Sequence, residues 1–156
     1  MDDRLEMQLF GGYEREAFAE IEADLPLHHA VEIRHKSFAI PEYVSLLREN
    51  NIALVVADSV KWPCLMDVTA DIVYCRLHGS EKLYASGYTA DAIDVWARRV
   101  IAWSRGEEVT DGKRIHPDPG TKRDERDVFV YFDNDVKVRA PFDAQSLSKR
   151  IAELES

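Results

Sequence analysis

The stretch that most constrains this chain is Asp71-Ile-Val-Tyr-Cys-Arg-Leu-His-Gly79, a run of β-formers closed by a glycine. Strand geometry sends successive side chains to opposite faces. Tyr74, Arg76 and His78 therefore share one face, and Val73, Cys75 and Leu77 share the other. The apolar set suits packing beneath a helix. The polar set needs water, a partner or a ligand, because a buried polar group without one is costly. Two further strands repeat this arrangement, which points to a site built at strand ends.

The other elements read around this strand. A strand is expected over 29–35 (His-Ala-Val-Glu-Ile-Arg-His) and another over 127–134 (Asp-Val-Phe-Val-Tyr-Phe-Asp-Asn). Residues 52–58, Ile-Ala-Leu-Val-Val-Ala-Asp, form a nearly continuous apolar run. Such runs belong to strands buried on both faces, as in parallel sheets. Helical spacing predicts helices over 13–25, stopped by Pro26, and over 42–50, with Pro41 suited to the first turn. A longer helix over 89–105 carries Thr89 as N-cap and ends at Gly106, and a closing helix covers 142–154. Leu5, Met7 and Leu9 alternate weakly as a strand. Loops are expected over 59–70, with Trp62-Pro63, and over 79–87. The polar segment 107–126, centred on Asp118-Pro119-Gly120, reads as a long mobile loop. Strands alternating with helices predict an α/β fold with a parallel sheet and right-handed crossovers. Sites in such folds lie at the C-terminal ends of the strands.

Composition narrows the function. A length of 156 residues fits one domain spanning 1–156, and 46% hydrophobic residues suffice for a core. The net charge of −9 argues against nucleic-acid binding and against anionic membrane surfaces. No apolar run is long enough to span a bilayer. The charged start Met-Asp-Asp-Arg-Leu-Glu lacks the apolar centre of a signal peptide, so a cytoplasmic location is expected. Two cysteines fit a reducing compartment, with Cys75 a small core residue. Gly11-Gly12 lacks the spacing of a dinucleotide loop, and no cofactor is expected.

Four segments carry a family resemblance: Val31-Glu-Ile-Arg-His35, Val56-Ala-Asp-Ser59 with Trp62-Pro63, Thr69 through Gly79, and Val128-Phe-Val-Tyr-Phe-Asp-Asn-Asp135. The loop holding Tyr84 and Tyr88 and the stretch Ala140-Pro-Phe-Asp-Ala144 fit as well. Together they resemble the domain of unknown function 72 family, also called YecE-like, over roughly residues 26–152. That family is similar to TIM barrels and has no established activity. A full (β/α)8 barrel takes about 250 residues. The resemblance therefore implies a partial TIM barrel, about the last four of the eight strands, with the family's N-terminal region absent. It also implies completion by a homo-oligomer or by a complementing N-terminal half.

If the strands lie as in that family, Glu32, Arg34, Asp58, Arg76 and His78 surround one cavity. The alternation leaves open whether Asp133 or Asn134 closes it. Two inward arginines, Arg34 and Arg76, suit a small carboxylate or phosphate ligand, which a guanidinium fork binds bidentately. Glu32, His78 and Asp58 are the candidate catalytic groups, with His78 or Glu32 as acid or base. Hydrolytic or isomerising chemistry would use such groups. Tyr84 is a candidate rim contact. The competing reading is a satisfied polar interior, Glu32 paired with Arg76 and Asp58 with Arg34. A metal held by His35, Asp58, His78 and Asp133 has no local spacing to support it, and the arginines would repel a cation.

Overall fold

The computed structural model describes residues 26–79, 87–134 and 138–156. The expected helix over 13–25, the alternation of Leu5, Met7 and Leu9, and Tyr84 lie outside the described residues. The strands are β1 (His29–Val31), β2 (Ile52–Leu54), β3 (Val56–Asp58), β4 (Ile72–Leu77) and β5 (Asp127–Phe132). The helices are α1 (Pro41–Glu49), α2 (Ala90–Ser104) and α3 (Ala140–Leu154), and a single 3-10 turn covers Lys36–Phe38. The fold is mixed α/β, and every strand pairing is parallel.

The apolar run 52–58 is not one uninterrupted strand. It breaks at Val55: β2 pairs with β1 on one side, and β3 pairs with β4 on the other. The Val55 amide still donates to the Val31 carbonyl at 3.0 Å, so the amide at the break keeps a backbone partner. β5 lies against the far side of β4.

The helices cover one face of the strands. Ile93, Trp96, Ala97 and Trp103 of α2 and Leu147 of α3 pack with Val56, Val73, Cys75 and Leu77. Thr89 caps α2 by accepting the Ala92 amide at 3.2 Å, a contact worth about 1 kcal/mol. Gly106 ends it at φ +72°, where a Cβ would meet the Arg123 carbonyl oxygen at 1.8 Å. Val44 and Leu47 of α1 pack with Ile33, Leu54 and Leu65 in a second cluster.

Segment 107–126 forms no helix or strand, yet it is tied down, which corrects the expectation of a loose loop. The Met66 amide donates to the Lys113 carbonyl at 2.8 Å. Buried Asp67 accepts the Ile115 and His116 amides at 3.0 and 2.9 Å. The physical reason is local: segment 65–70 is buried and needs partners for its polar groups, and the polar loop supplies them. Among the described residues no helix is long and apolar enough to cross a membrane.

Candidate functional site

The face of the strands away from the helices forms an open trough of about 640 Å³. Tyr74, Phe129 and Tyr131 make its aromatic wall. The β4–β5 register sets Tyr74 beside Phe129 and Arg76 beside Tyr131. The Tyr74 and Tyr131 rings stack with centroids 5.1 Å apart. Polar groups gather at the C-terminal end of this trough, where Glu32, Arg76 and Asp133 line it.

These groups form a closed ring with His78. Arg76 Nη1 contacts Glu32 Oε2 at 2.7 Å, and Arg76 Nη2 pairs with Asp133 Oδ2. The same two oxygens face the imidazole: His78 Nε2 lies 3.7 Å from Glu32 Oε2, and His78 Nδ1 lies 3.6 Å from Asp133 Oδ2. His78 is fully buried, with Trp62 edge-on to its ring at 5.4 Å between centroids. Burial pulls the Glu32 carboxyl upward, but the hydrogen bonds and charges of Arg34 and Arg76 outweigh it and hold the group below the usual carboxylate range. Burial likewise works against the charged Arg76, and its bonds to Asp133 and Glu32 reverse that and raise it.

Arg34 sits at the edge of this ring. Its Nε donates to Glu32 Oε1 at 2.6 Å, and its guanidinium lies 4.9 Å over the Trp62 ring. Its terminal nitrogens make no hydrogen bond among the described residues. The two arginines thus differ: Arg76 is spent on carboxylates, and Arg34 retains an open fork.

Asp58 does not enter the cavity, and its expected pairing with Arg34 is absent. Leu54 and Val56 pack under the helices, and the alternation carries Asp58 to their side. There its Oδ2 accepts the Tyr88 hydroxyl at 2.7 Å, and the Tyr88 oxygen accepts the Gly79 amide at 3.1 Å. Burial and the Asp58 charge together push the Tyr88 phenol up. Asn134 also turns to the helix side, donating to Asp143 Oδ2 at 2.6 Å, so Asp133 is the residue that faces the trough. Asp143 accepts the Tyr88 amide as well, at 3.2 Å. Asp58, Tyr88, Asn134 and Asp143 therefore clasp the strand ends to α3 and to the start of α2. Sequence reasoning missed Asp143 in this role, and also Lys36 and Lys61, which border Arg34 in a neighbouring groove. The signal for Asp143 lay in its first-turn position in a Pro-led helix. Lys36 stands two residues past Arg34, and Lys61 three past Asp58, each in the segment that follows a strand.

No group of three or more His, Cys, Asp or Glu side chains converges as metal ligands among the described residues. His35 is turned to Ser37, and Asp58 to Tyr88.

A family model described as "Protein of unknown function DUF72" matches residues 7–156. The chain belongs to the DUF72 family. Two solved DUF72 structures share its fold. One, from Thermotoga maritima MSB8, aligns with a TM-score of 0.64 at 24% identity, covering 84% of this chain and 47% of its own. The other, from Enterococcus faecalis V583, gives 0.61 at 21% identity, covering 81% of this chain and 48% of its own. No curated protein matches. The DUF72 chain thus spans about half the length of these two structures.

Proposed function

We propose that this DUF72 chain forms part of a (β/α) barrel whose strand ends bind a small molecule bearing a carboxylate or phosphate. Arg34 receives the anion, and Glu32, Arg76 and Asp133 face the rest of the ligand, with His78 buried against the two carboxylates. The observation that carries this reading is the division of labour between the arginines. Both terminal nitrogens of Arg76 lie on carboxylates, so it positions Glu32 and Asp133. Arg34 is fixed through Nε and the Trp62 face while its fork stays open. A preorganised fork of this kind suits bidentate anion recognition. An imidazole between two carboxylates can hold and pass a proton, the requirement of hydrolytic or isomerising chemistry. His78 or Glu32 is the acid or base. Two free cysteines suit a cytoplasmic setting.

A panel of small carboxylates and phosphate esters, each paired with its neutral parent, tests this by calorimetry. The anionic member of a pair should bind, and Arg34→Ala should weaken it about tenfold, the weight of a charge-assisted hydrogen bond. Anions that bind no better than their neutral parents would defeat the proposal.

A second reading is favoured by the sheet's edges. β1 pairs only with β2, and β5 only with β4, so both outer edges are open among the described residues. Open edges invite pairing. The chain would then be a binding or structural element completed by a second copy or by a complementing N-terminal half. Sedimentation equilibrium decides: a monodisperse monomer with cooperative unfolding counts against it.

A further inference from the structure

Beside this carboxylate-bearing ring lies a second concavity of opposite character. The 3-10 turn after β1 and the segment after β3 enclose a groove of about 410 Å³ in which Arg34, His35, Lys36 and Lys61 meet Trp62. Among the described residues no carboxylate lines it, in a chain whose net charge is −9. Glu32 partly offsets Arg34, and Lys36 and Lys61 add two further cations, an excess that a multiply charged anion relieves better than a single negative charge.

Two of the groove's donors are also arranged in advance. Arg34 is held by Glu32 through Nε at 2.6 Å and by the Trp62 face at 4.9 Å, leaving its terminal nitrogens for a ligand. His35 Nδ1 accepts the Ser37 amide at 3.2 Å. That bond assigns the ring proton of neutral His35 to Nε2, which makes Nε2 a further donor. The trough beside it differs, since two carboxylates, Glu32 and Asp133, there face the one cation Arg76.

We propose that this groove binds the dianionic phosphoryl group of a small phosphate ester, through Arg34, Lys36 and Lys61. The inference rests on the proposed anion site and names its anion: phosphate, in preference to carboxylate. Arg34 lines the groove and bonds Glu32 of the ring, so a phosphate seated here leaves the body of the ligand beside Glu32 and the trough.

The test uses inorganic phosphate as probe, with acetate as the monoanionic comparison, at low ionic strength and mildly alkaline pH where phosphate is a dianion. Binding is measured by calorimetry on the full chain, its Lys36→Glu and Lys61→Glu variants, and Arg34→Lys. Phosphate should bind at least about tenfold more tightly than acetate, and each charge reversal should weaken it by about tenfold or more. Circular dichroism melts of the two lysine variants should match wild type, since both side chains are exposed. Arg34→Lys should also weaken binding, because an ammonium cannot reproduce the fork. Phosphate binding that ignores both lysine reversals overturns the inference. Carboxylates that bind as tightly as phosphate and still depend on Arg34 overturn it too, while leaving the anion site standing. Phosphate binding through Lys36 and Lys61, with no response to Arg34→Lys, overturns the shared role of Arg34 and with it the link to the ring.

Discussion

The two faces of β4 make the sharpest comparison in this molecule. On the helix side, Val73, Cys75 and Leu77 are 4%, 0% and 0% exposed. On the other side, Tyr74 and Arg76 line an open trough together with Phe129 and Tyr131. The same six-residue strand therefore carries a close-packed apolar surface and a surface of stacked rings and paired charges. The first is held by area removed from water. The second is held by pairwise contacts, and its aromatic residues stay half open to solvent: Phe129 is 42% and Tyr131 49% exposed. One face specifies the fold. The other is where residue choice is free to serve a ligand or a partner.

The largest test of that contrast is Leu77→Ala against Tyr131→Ala. Leu77 is fully buried, and its truncation should cost about 2–5 kcal/mol in chemical denaturation. Tyr131→Ala should cost about 1 kcal/mol or less, since half of the ring is already wet. Equal losses would erase the distinction between the faces.

Next in size is the charge ring. Arg76→Met leaves Glu32 and Asp133 without their shared partner, and should cost about 1–3 kcal/mol at neutral pH. Adding Glu32→Gln should return part of that loss, so the double-mutant cycle gives a clear coupling. Additive losses would show that Arg76 and Glu32 do not act as a unit.

A smaller effect is the pH dependence of Glu32. Its folded-state carboxyl lies below the ordinary value of 4.5, so the folded form binds protons less readily than the unfolded form. The stabilisation is fully present above that ordinary value and is lost as pH falls through the lower folded value. The advantage of wild type over Glu32→Gln should therefore be constant near neutrality and shrink in acid. An advantage that grows in acid would reverse the sign and remove the arginine pairing as its cause.

The smallest effect concerns Cys64. Burial, aided by the Asp58 charge, pushes its thiol up to about 11. Only about one thiol in a thousand is ionised at pH 8 on that basis. Alkylation should be much slower than for a free cysteine, and rapid labelling would contradict the packing drawn around β3.

The sequence shows some of this plainly and hides the rest for physical reasons. Alternation alone places Arg76 opposite Cys75 and Leu77, because strand period is local. Thr89, Gly106 and Pro41 mark helix ends for equally local reasons. The break at Val55 is not legible, because an unbroken apolar run looks the same whether its two halves pair with one neighbour or with two. Asp58 shares its face with Leu54 and Val56 in the sequence, which already marks the helix side, but its partner Tyr88 comes from a distant segment and could not be read. The choice between Asp133 and Asn134 depends on the exit from β5, which no periodicity fixes. Lys36 and Lys61 lie on loops of different strands and meet only in space.

The most direct measurement is of the His78 ring resonances by NMR while a small anionic compound that binds through Arg34 is titrated in. Ligand seated at the strand ends should shift the His78 signals in step with occupancy, and Arg34→Ala should abolish the shift. An anion that saturates the protein and leaves His78 unmoved would mean that the ring is structural and the ligand site lies elsewhere.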